Sequence, residues 1–241
     1  MPTAVIIGAS SGIGKAIAFQ LCARGFRVGI AARNEEALAE ISRLLNPEQC
    51  VYQAFDISQI EAALAGFEQL QARLGSIDFV YLVAGVGFLN VELTGALEEE
   101  TVAVNCLGFT ALASAALRLF QRQGQGHLVA VTSFAAARPS GDAPAYGASK
   151  AFGSAYLEGL RYWTLRRKVP IYITEVRPGF VDTAMMKSKK TFWVISAERA
   201  AKEIIAAADR RKTLAYVPAR WRGLAWVVKV LPDWLYARLG E

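Results

Sequence analysis

Tyr146 and Lys150 stand four apart in Ala145-Tyr146-Gly147-Ala148-Ser149-Lys150, and Ser133 lies thirteen residues upstream of the tyrosine. A phenol is a poor acid or base near neutrality, because its unperturbed pKa is about 10, and a lysine ammonium held beside it favours the phenolate. Residues four apart on a helix share a face, so the pair can enter one cleft while Ser133, from a preceding strand end, reaches the same reacting oxygen. The chemistry on offer is proton transfer at an oxygen. The competing reading is an ordinary exposed helix start built from the same common residue types.

The amino terminus supplies a second motif. Thr3-Ala4-Val5-Ile6-Ile7 is a short apolar, β-prone run that passes into Gly8-Ala9-Ser10-Ser11-Gly12-Ile13-Gly14 and then a helical pattern from Lys15 to Arg24. Strand, glycine turn and helix follow the order of a dinucleotide site. Gly8 permits the tight turn, Gly12 lets the backbone approach a pyrophosphate, and Gly14 allows close packing of helix on strand, with the helix N-terminus offering free N–H groups to phosphate. A Walker A loop is excluded, because position 9 is alanine and the residue after Lys15 is Ala16.

Together the two motifs resemble the short-chain dehydrogenase/reductase family, in order from Thr3 to about Thr183. The family's glycine motif matches Gly8, Gly12 and Gly14, and its catalytic Ser, Tyr and Lys match Ser133, Tyr146 and Lys150. Asn105, in Val104-Asn105-Cys106, falls where the family has a helix asparagine that holds a relay water. Arg177-Pro178-Gly179-Phe180-Val181-Asp182-Thr183 is similar to the family's Pro-Gly segment, which implies nicotinamide carboxamide contacts from the Val181 backbone and the Thr183 side chain. Where the family usually has Asn-Asn-Ala-Gly, this chain has Leu82-Val83-Ala84-Gly85, so apolar packing must replace polar anchoring at that strand end.

Those residues need a scaffold that brings strand ends together. Apolar runs at Val28 to Ala32, Val51 to Phe55, Phe79 to Val83, Leu128 to Thr132, Ile171 to Val176 and Leu214 to Val217 join the first strand to make seven, alternating with helical segments. That pattern predicts an α/β, Rossmann-type doubly wound sheet, mostly parallel, with helices on both faces and the ligand crevice at the strands' carboxyl ends. The 241 residues carry no linker or fixed-period repeat, and 54% are hydrophobic, so a single domain spanning 1–241 is expected. Cys22, Cys50 and Cys106 are scattered without metal-ligand spacing, His127 is the only histidine, and no metal is expected. With no signal peptide ahead of the first strand, the expected location is cytoplasmic, or peripheral to the inner face of a membrane.

An acid at the end of the second strand suits the ribose of NAD(H), whereas a basic residue suits the 2′-phosphate of NADP(H). Here the strand ends Ala32-Arg33, which favours NADP(H) over NAD(H), with Ser10 adding a hydroxyl. Asp56 resembles the family's acceptor for the adenine amine and Ile57 its hydrophobic wall; Ser11, Ile13, Ala84 and Gly85 complete the expected cofactor contacts. The resemblance implies hydride transfer from NADPH to a substrate carbonyl, with Tyr146 as proton donor, Ser133 bonded to the carbonyl oxygen, Lys150 lowering the phenol pKa and binding the ribose, and Asn105 holding the water.

The expected substrate loop, about 183–195, carries Met185, Met186, Phe192 and Trp193; with Phe88, Leu89, Ala135, Ala136 and Phe180 it is mainly apolar and favours a lipophilic carbonyl or alcohol. Residues 187–241 hold twelve Lys and Arg against five Asp and Glu, and a Trp-rich segment at about 219–241 carries Trp221, Trp226, Trp234 and Tyr236. Such a segment can lie on an anionic membrane surface, pack on the substrate cleft or pack on a sister subunit. Nucleic acid is disfavoured, since no binding motif accompanies the charge. The family's habit of pairing through long helices, here about Glu99 to Phe120 and Ala145 to Arg166, implies a homodimer or homotetramer. Rival functions are a non-catalytic NADPH-binding sensor, which the complete set of four catalytic residues opposes, and a membrane-surface scaffold.

Overall fold

The computed structural model describes residues 1–186 and 191–239. In chain order the elements are β1 (Thr3–Ile7), α1 (Gly12–Ala23), β2 (Arg27–Ala32), α2 (Glu35–Leu44), β3 (Cys50–Ala54), α3 (Ile60–Leu74), β4 (Phe79–Leu82) and α4 (Gly95–Val102). A π-helical turn, Ala103–Gly108, joins α4 to α5 (Phe109–Gln123), and β5 (Gly126–Val131) leads through a 3₁₀ turn, Phe134–Ala136, into α6 (Pro144–Arg167). Then come β6 (Ile171–Pro178), β7 (Val181–Asp182), β8 (Ile195–Ser196), α7 (Ala197–Asp209), β9 (Leu214–Val217), α8 (Trp221–Val230) and α9 (Asp233–Leu239).

Seven parallel strands form one sheet in the order β3-β2-β1-β4-β5-β6-β9. The expected seven strands are all present, their ends shifted by a residue or two. Alternation along β1 shows why both faces must be covered: Ala4 and Ile6 join the core beneath α1, α2 and α7, while Val5 and Ile7 join the core beneath α3, α5 and α6. The direction in which successive strands are added reverses between β1 and β4, which opens a crevice beyond their carboxyl ends.

Local chemistry sets the helix limits. Asn34 caps α2 by accepting from the Ala37 N–H at 2.9 Å, with Glu35 and Glu36 in the first turn and Arg43 in the last. Pro144 starts α6, and Gly124 ends α5 in the left-handed region at φ +84°. The 29-residue run Gly95–Gln123 is long and apolar enough to cross a membrane, yet it lies over the sheet with Leu112, Ala116, Leu117 and Phe120 buried.

Two features escaped the sequence pattern. The π turn interrupts what reads as one continuous helix, and such turns cluster at functional sites. The second is the parallel pair β7–β8, with Val181 opposite Ile195 and Asp182 opposite Ser196, which clips the two ends of the expected substrate loop together. Two-residue strands are too short to carry a periodic signal.

Candidate active site

Ser133 follows the end of β5, where its Oγ accepts from the Ala135 N–H at 3.1 Å and so starts the 3₁₀ turn. Tyr146 and Lys150 occupy the first turns of α6, and the Lys150 Nζ lies 5.7 Å from the centre of the Tyr146 ring. All three line one cleft. Burial pushes the Tyr146 phenol up while the neighbouring Ser133 hydroxyl pulls it down; burial likewise drives the Lys150 amine from 10.5 to about 8, with Cys106 nearby acting in the opposite sense.

Asn105, in the π turn, sits behind this wall. Its Nδ2 donates to the Val86 carbonyl at 2.8 Å and to Ser149 Oγ at 3.0 Å, and its Oδ1 accepts from the Val86 N–H at 2.9 Å. Ser149 in turn donates to the Tyr146 carbonyl at 2.8 Å. The side chain is therefore a clamp between the segment after β4 and the first turn of α6, with its amide engaged there and not in the cleft.

A buried ion pair braces the same wall from below. Arg177 Nε donates to Glu175 Oε1 at 2.7 Å, and the same carboxylate oxygen accepts from the Thr132 hydroxyl at 2.9 Å. Arg177 also donates to the Ser154 hydroxyl on α6 and, at 3.0 Å, to the Tyr216 hydroxyl on β9. Thr132 adjoins Ser133, and Ser154 is one turn beyond Lys150, so the pair ties the segments that carry Ser133 and Lys150 together. Charges two apart on an interior strand share a face, and that placement in Glu175-Val176-Arg177 was the signal that could have found them.

The cleft measures about 1400 Å³ and runs from the glycine turn to the C-terminal helices. Gly8 and Gly12 have φ +95° and +51°, and a Cβ on them would come within 2.5 Å of the Ala84 nitrogen and 2.9 Å of Thr183 Cγ2. Ser10, Ser11, Ile13 and Gly14 line the cleft beside them, and α1 begins at Gly12 without a side-chain cap, leaving its first N–H groups to a ligand or water. These are the features a pyrophosphate needs.

At one end lie Arg33, Asp56 and Ile57. Arg33 is exposed and, among the described residues, makes only long ion pairs, 3.8 Å to Asp56 and 3.7 Å to Glu100, while the other Asp56 oxygen accepts from Ser58 N and Oγ, both at 2.8 Å. Ala84 and Gly85 form the floor. The strand end that lacks the family's polar pair is held by Val83 packing on the core, as expected, and by the Val83 and Ala84 N–H groups donating to the Ile7 carbonyl at 2.9 and 2.8 Å.

At the other end, Pro178, Gly179, Phe180, Val181, Thr183, Met185, Met186 and Phe192 face Phe88, Leu89 and Ala135 across the cleft. Trp193 differs from expectation. It stands outside the lining, at φ +55°, packed edge-on to Trp221 at 5.8 Å with the Arg220 guanidinium 4.9 Å from its ring centre. Residues 187–190 of the loop lie outside the described residues.

The sequence offered the segment carrying Trp221 and Tyr236 only as one that could pack on the cleft, and singled out none of Arg138, Asp233 or Ala237; all five line the cleft. Trp221, 1% exposed, is the hub of an aromatic cluster with Phe134 at 4.6 Å, Phe192 at 5.2 Å and Phe180 at 5.4 Å. A Cβ on Gly179 would fall 1.9 Å from its indole, so the bare Pro-Gly backbone is what lets the ring settle there. Of the three readings of the C-terminal segment, packing on the cleft is the one its inner face realises.

A family model described as short chain dehydrogenase matches residues 2–192. An oxidoreductase of Mycobacterium tuberculosis, named as uncharacterised, is 30% identical, covering 97% of this chain and 95% of its own. A protein of Sesamum indicum named 11-beta-hydroxysteroid dehydrogenase A is 28% identical over 95% of this chain and 72% of its own. Among solved structures, an alcohol dehydrogenase of Thermococcus sibiricus complexed with 5-hydroxy-NADP superimposes with TM-score 0.79 at 27% identity, covering 90% of this chain and 94% of its own. A short-chain dehydrogenase/reductase of Burkholderia phymatum in complex with NAD has TM-score 0.85 at 20% identity, covering 93% and 92%, and shares the fold.

Proposed function

This chain belongs to the short-chain dehydrogenase family and is an NAD(P)-dependent oxidoreductase, and we propose that it works with NADP(H) on a lipophilic carbonyl or secondary alcohol. The observation that carries the reading is the meeting of Tyr146, Lys150 and Ser133 at the inner wall of a cleft whose far end is closed by the Trp221 cluster. The nicotinamide, when bound, supplies or accepts the hydride. Tyr146 gives a proton to the carbonyl oxygen and takes it back in the reverse direction, and the Ser133 hydroxyl donates a hydrogen bond to that oxygen. Lys150, as an ammonium, favours the phenolate and holds the ribose. Asn105 fixes the first turn of α6 through Ser149, and so fixes where the phenol points.

Arg33 supports the choice of NADP(H): its long pairs leave the guanidinium free to turn onto a 2′-phosphate. The apolar walls, and a relative named for a hydroxysteroid, support a lipophilic substrate. We take the protein to be cytoplasmic and a homodimer or homotetramer, pairing through the α4–α5 run and α6, where Val102, Leu107, Phe152 and Leu165 are exposed.

The test is NADPH oxidation against aldehydes and ketones of increasing chain length. Each buried CH₂ is worth about 0.8 kcal/mol, which predicts kcat/KM rising roughly three- to fourfold per methylene until the cleft is full. A flat response, or preference for charged hydroxy acids, would refute the lipophilic reading.

A further inference from the structure

Helix α8 has two unlike faces. Trp221, Ala225 and Val228 are buried against the body of the protein, Trp221 lining the cleft, whereas Trp226 is 68% exposed and Val230, one turn on, is 61% exposed. Trp234 at the start of α9 is 64% exposed and Val227 is also exposed, so four large apolar side chains face outward within nine residues. They are interleaved with cations. Arg222 lies one turn before Trp226 and Lys229 beside Val230, while Arg238 lies 5.7 Å from the centre of the Trp234 ring.

This face cannot turn inward to hide, because both helices are already fastened from behind. Trp221 anchors α8 in its aromatic cluster, and Arg138 holds the helix ends through the Val228 carbonyl at 2.8 Å and the Asp233 carboxylate. Asp233 is the only acid between residues 219 and 239, and Arg138 neutralises it. Among the described residues no ion pair involves Arg222 or Lys229.

We propose that the outer face of α8 and α9 docks on an anionic lipid bilayer. Indole rings suit the boundary between headgroups and acyl chains, and lysine and arginine flanking them complement lipid phosphate and carboxylate. The core of a subunit interface would instead be depleted of lysine, and the α4–α5 run already offers exposed Val102 and Leu107 with no lysine or arginine anywhere between residues 74 and 117. The inner side of the same helix pair lines the cleft through Tyr236 and Ala237, so docking sets the cleft beside the bilayer. That position serves the lipophilic substrate read above, but the docking does not rest on it and is tested without substrate.

The full chain is sedimented with phosphatidylcholine vesicles, with and without phosphatidylserine, at low and high salt. Binding is expected only to the serine-containing vesicles, weakening as salt screens the charges. Trp226→Ser with Trp234→Ser is expected to weaken binding about tenfold or more, with the melting temperature unchanged because these rings touch solvent. Arg222→Glu with Lys229→Glu, a second variant that leaves the apolar stripe intact, should abolish the preference for phosphatidylserine. Equal sedimentation with both vesicle types, no sedimentation at all, or variants that bind like the parent would overturn the proposal. So would a tryptophan variant whose mass in solution drops while vesicle binding stays the same, since that marks a subunit face.

Discussion

The Arg138 guanidinium lies 4.2 Å from the centre of the Tyr236 ring, and the Tyr236 hydroxyl donates back to the Arg138 carbonyl at 3.2 Å. Two residues ninety-eight positions apart thus close on one another across the mouth of the cleft. The guanidinium also takes the Val228 and Leu231 carbonyls at the end of α8, where a helix leaves its acceptors unsatisfied and its dipole favours a cation.

Arg138→Met keeps the stem and removes the fork. It is expected to lower stability by about 1–3 kcal/mol, the cost of orphaned acceptors and a lost charged hydrogen bond, and to raise KM for long substrates more than for short ones. Arg138→Lys should restore little, because an ammonium cannot satisfy two carbonyls and a carboxylate while stacking on the ring. Denaturant unfolding and a chain-length series read the two effects; equal stability in all three proteins would mean that Arg138 does not hold α8 and α9 over the cleft.

Tyr146→Phe deletes one hydroxyl and little volume. Cofactor affinity should survive while turnover falls by roughly 10²- to 10⁴-fold, the usual worth of a positioned acid. Cofactor titration by fluorescence beside steady-state rates separates the two, and parallel loss of both would argue against a proton-transfer role.

Arg33→Ala removes a cation at the Asp56 end of the cleft, where we propose that the 2′-phosphate sits. The expected change is a weaker Kd for NADPH by about tenfold or more, with NADH little altered, since a charge-assisted pair to phosphate is worth about 1.5–3 kcal/mol. An unchanged ratio of the two affinities would leave the cofactor preference without its residue.

Burial lowers the Lys150 amine to about 8 in the folded protein, against 10.5 when free. Between those values the unfolded chain binds more protons than the folded one, so this group's contribution to stability rises with pH across the window and is lost as pH falls through 8. Lys150→Met abolishes the dependence. Without cofactor, the variant should melt above the parent at about pH 7, with the margin closing towards about pH 10; a margin constant with pH would mean the amine is well solvated in the fold.

The strand, glycine turn and helix from Thr3 to Ala23, the seven apolar strands, and the pairing of Tyr146 with Lys150 on one helix face were all legible in the chain. Each depends on residues a few positions apart, where backbone geometry and the two hydrophobic periods dictate the outcome. What only the tertiary structure decided are the contacts between distant segments: Asn105 turned onto Val86 and Ser149, the Glu175–Arg177 brace between Thr132 and Ser154, and Trp221 set against Gly179. The C-terminal segment is the clearest case. Its composition allowed membrane, subunit or cleft, and the choice for its inner face fell to Arg138 and the aromatic cluster, because a helix buries whichever stripe finds shape and hydrogen-bond partners in the assembled fold, and those partners lie elsewhere in the chain.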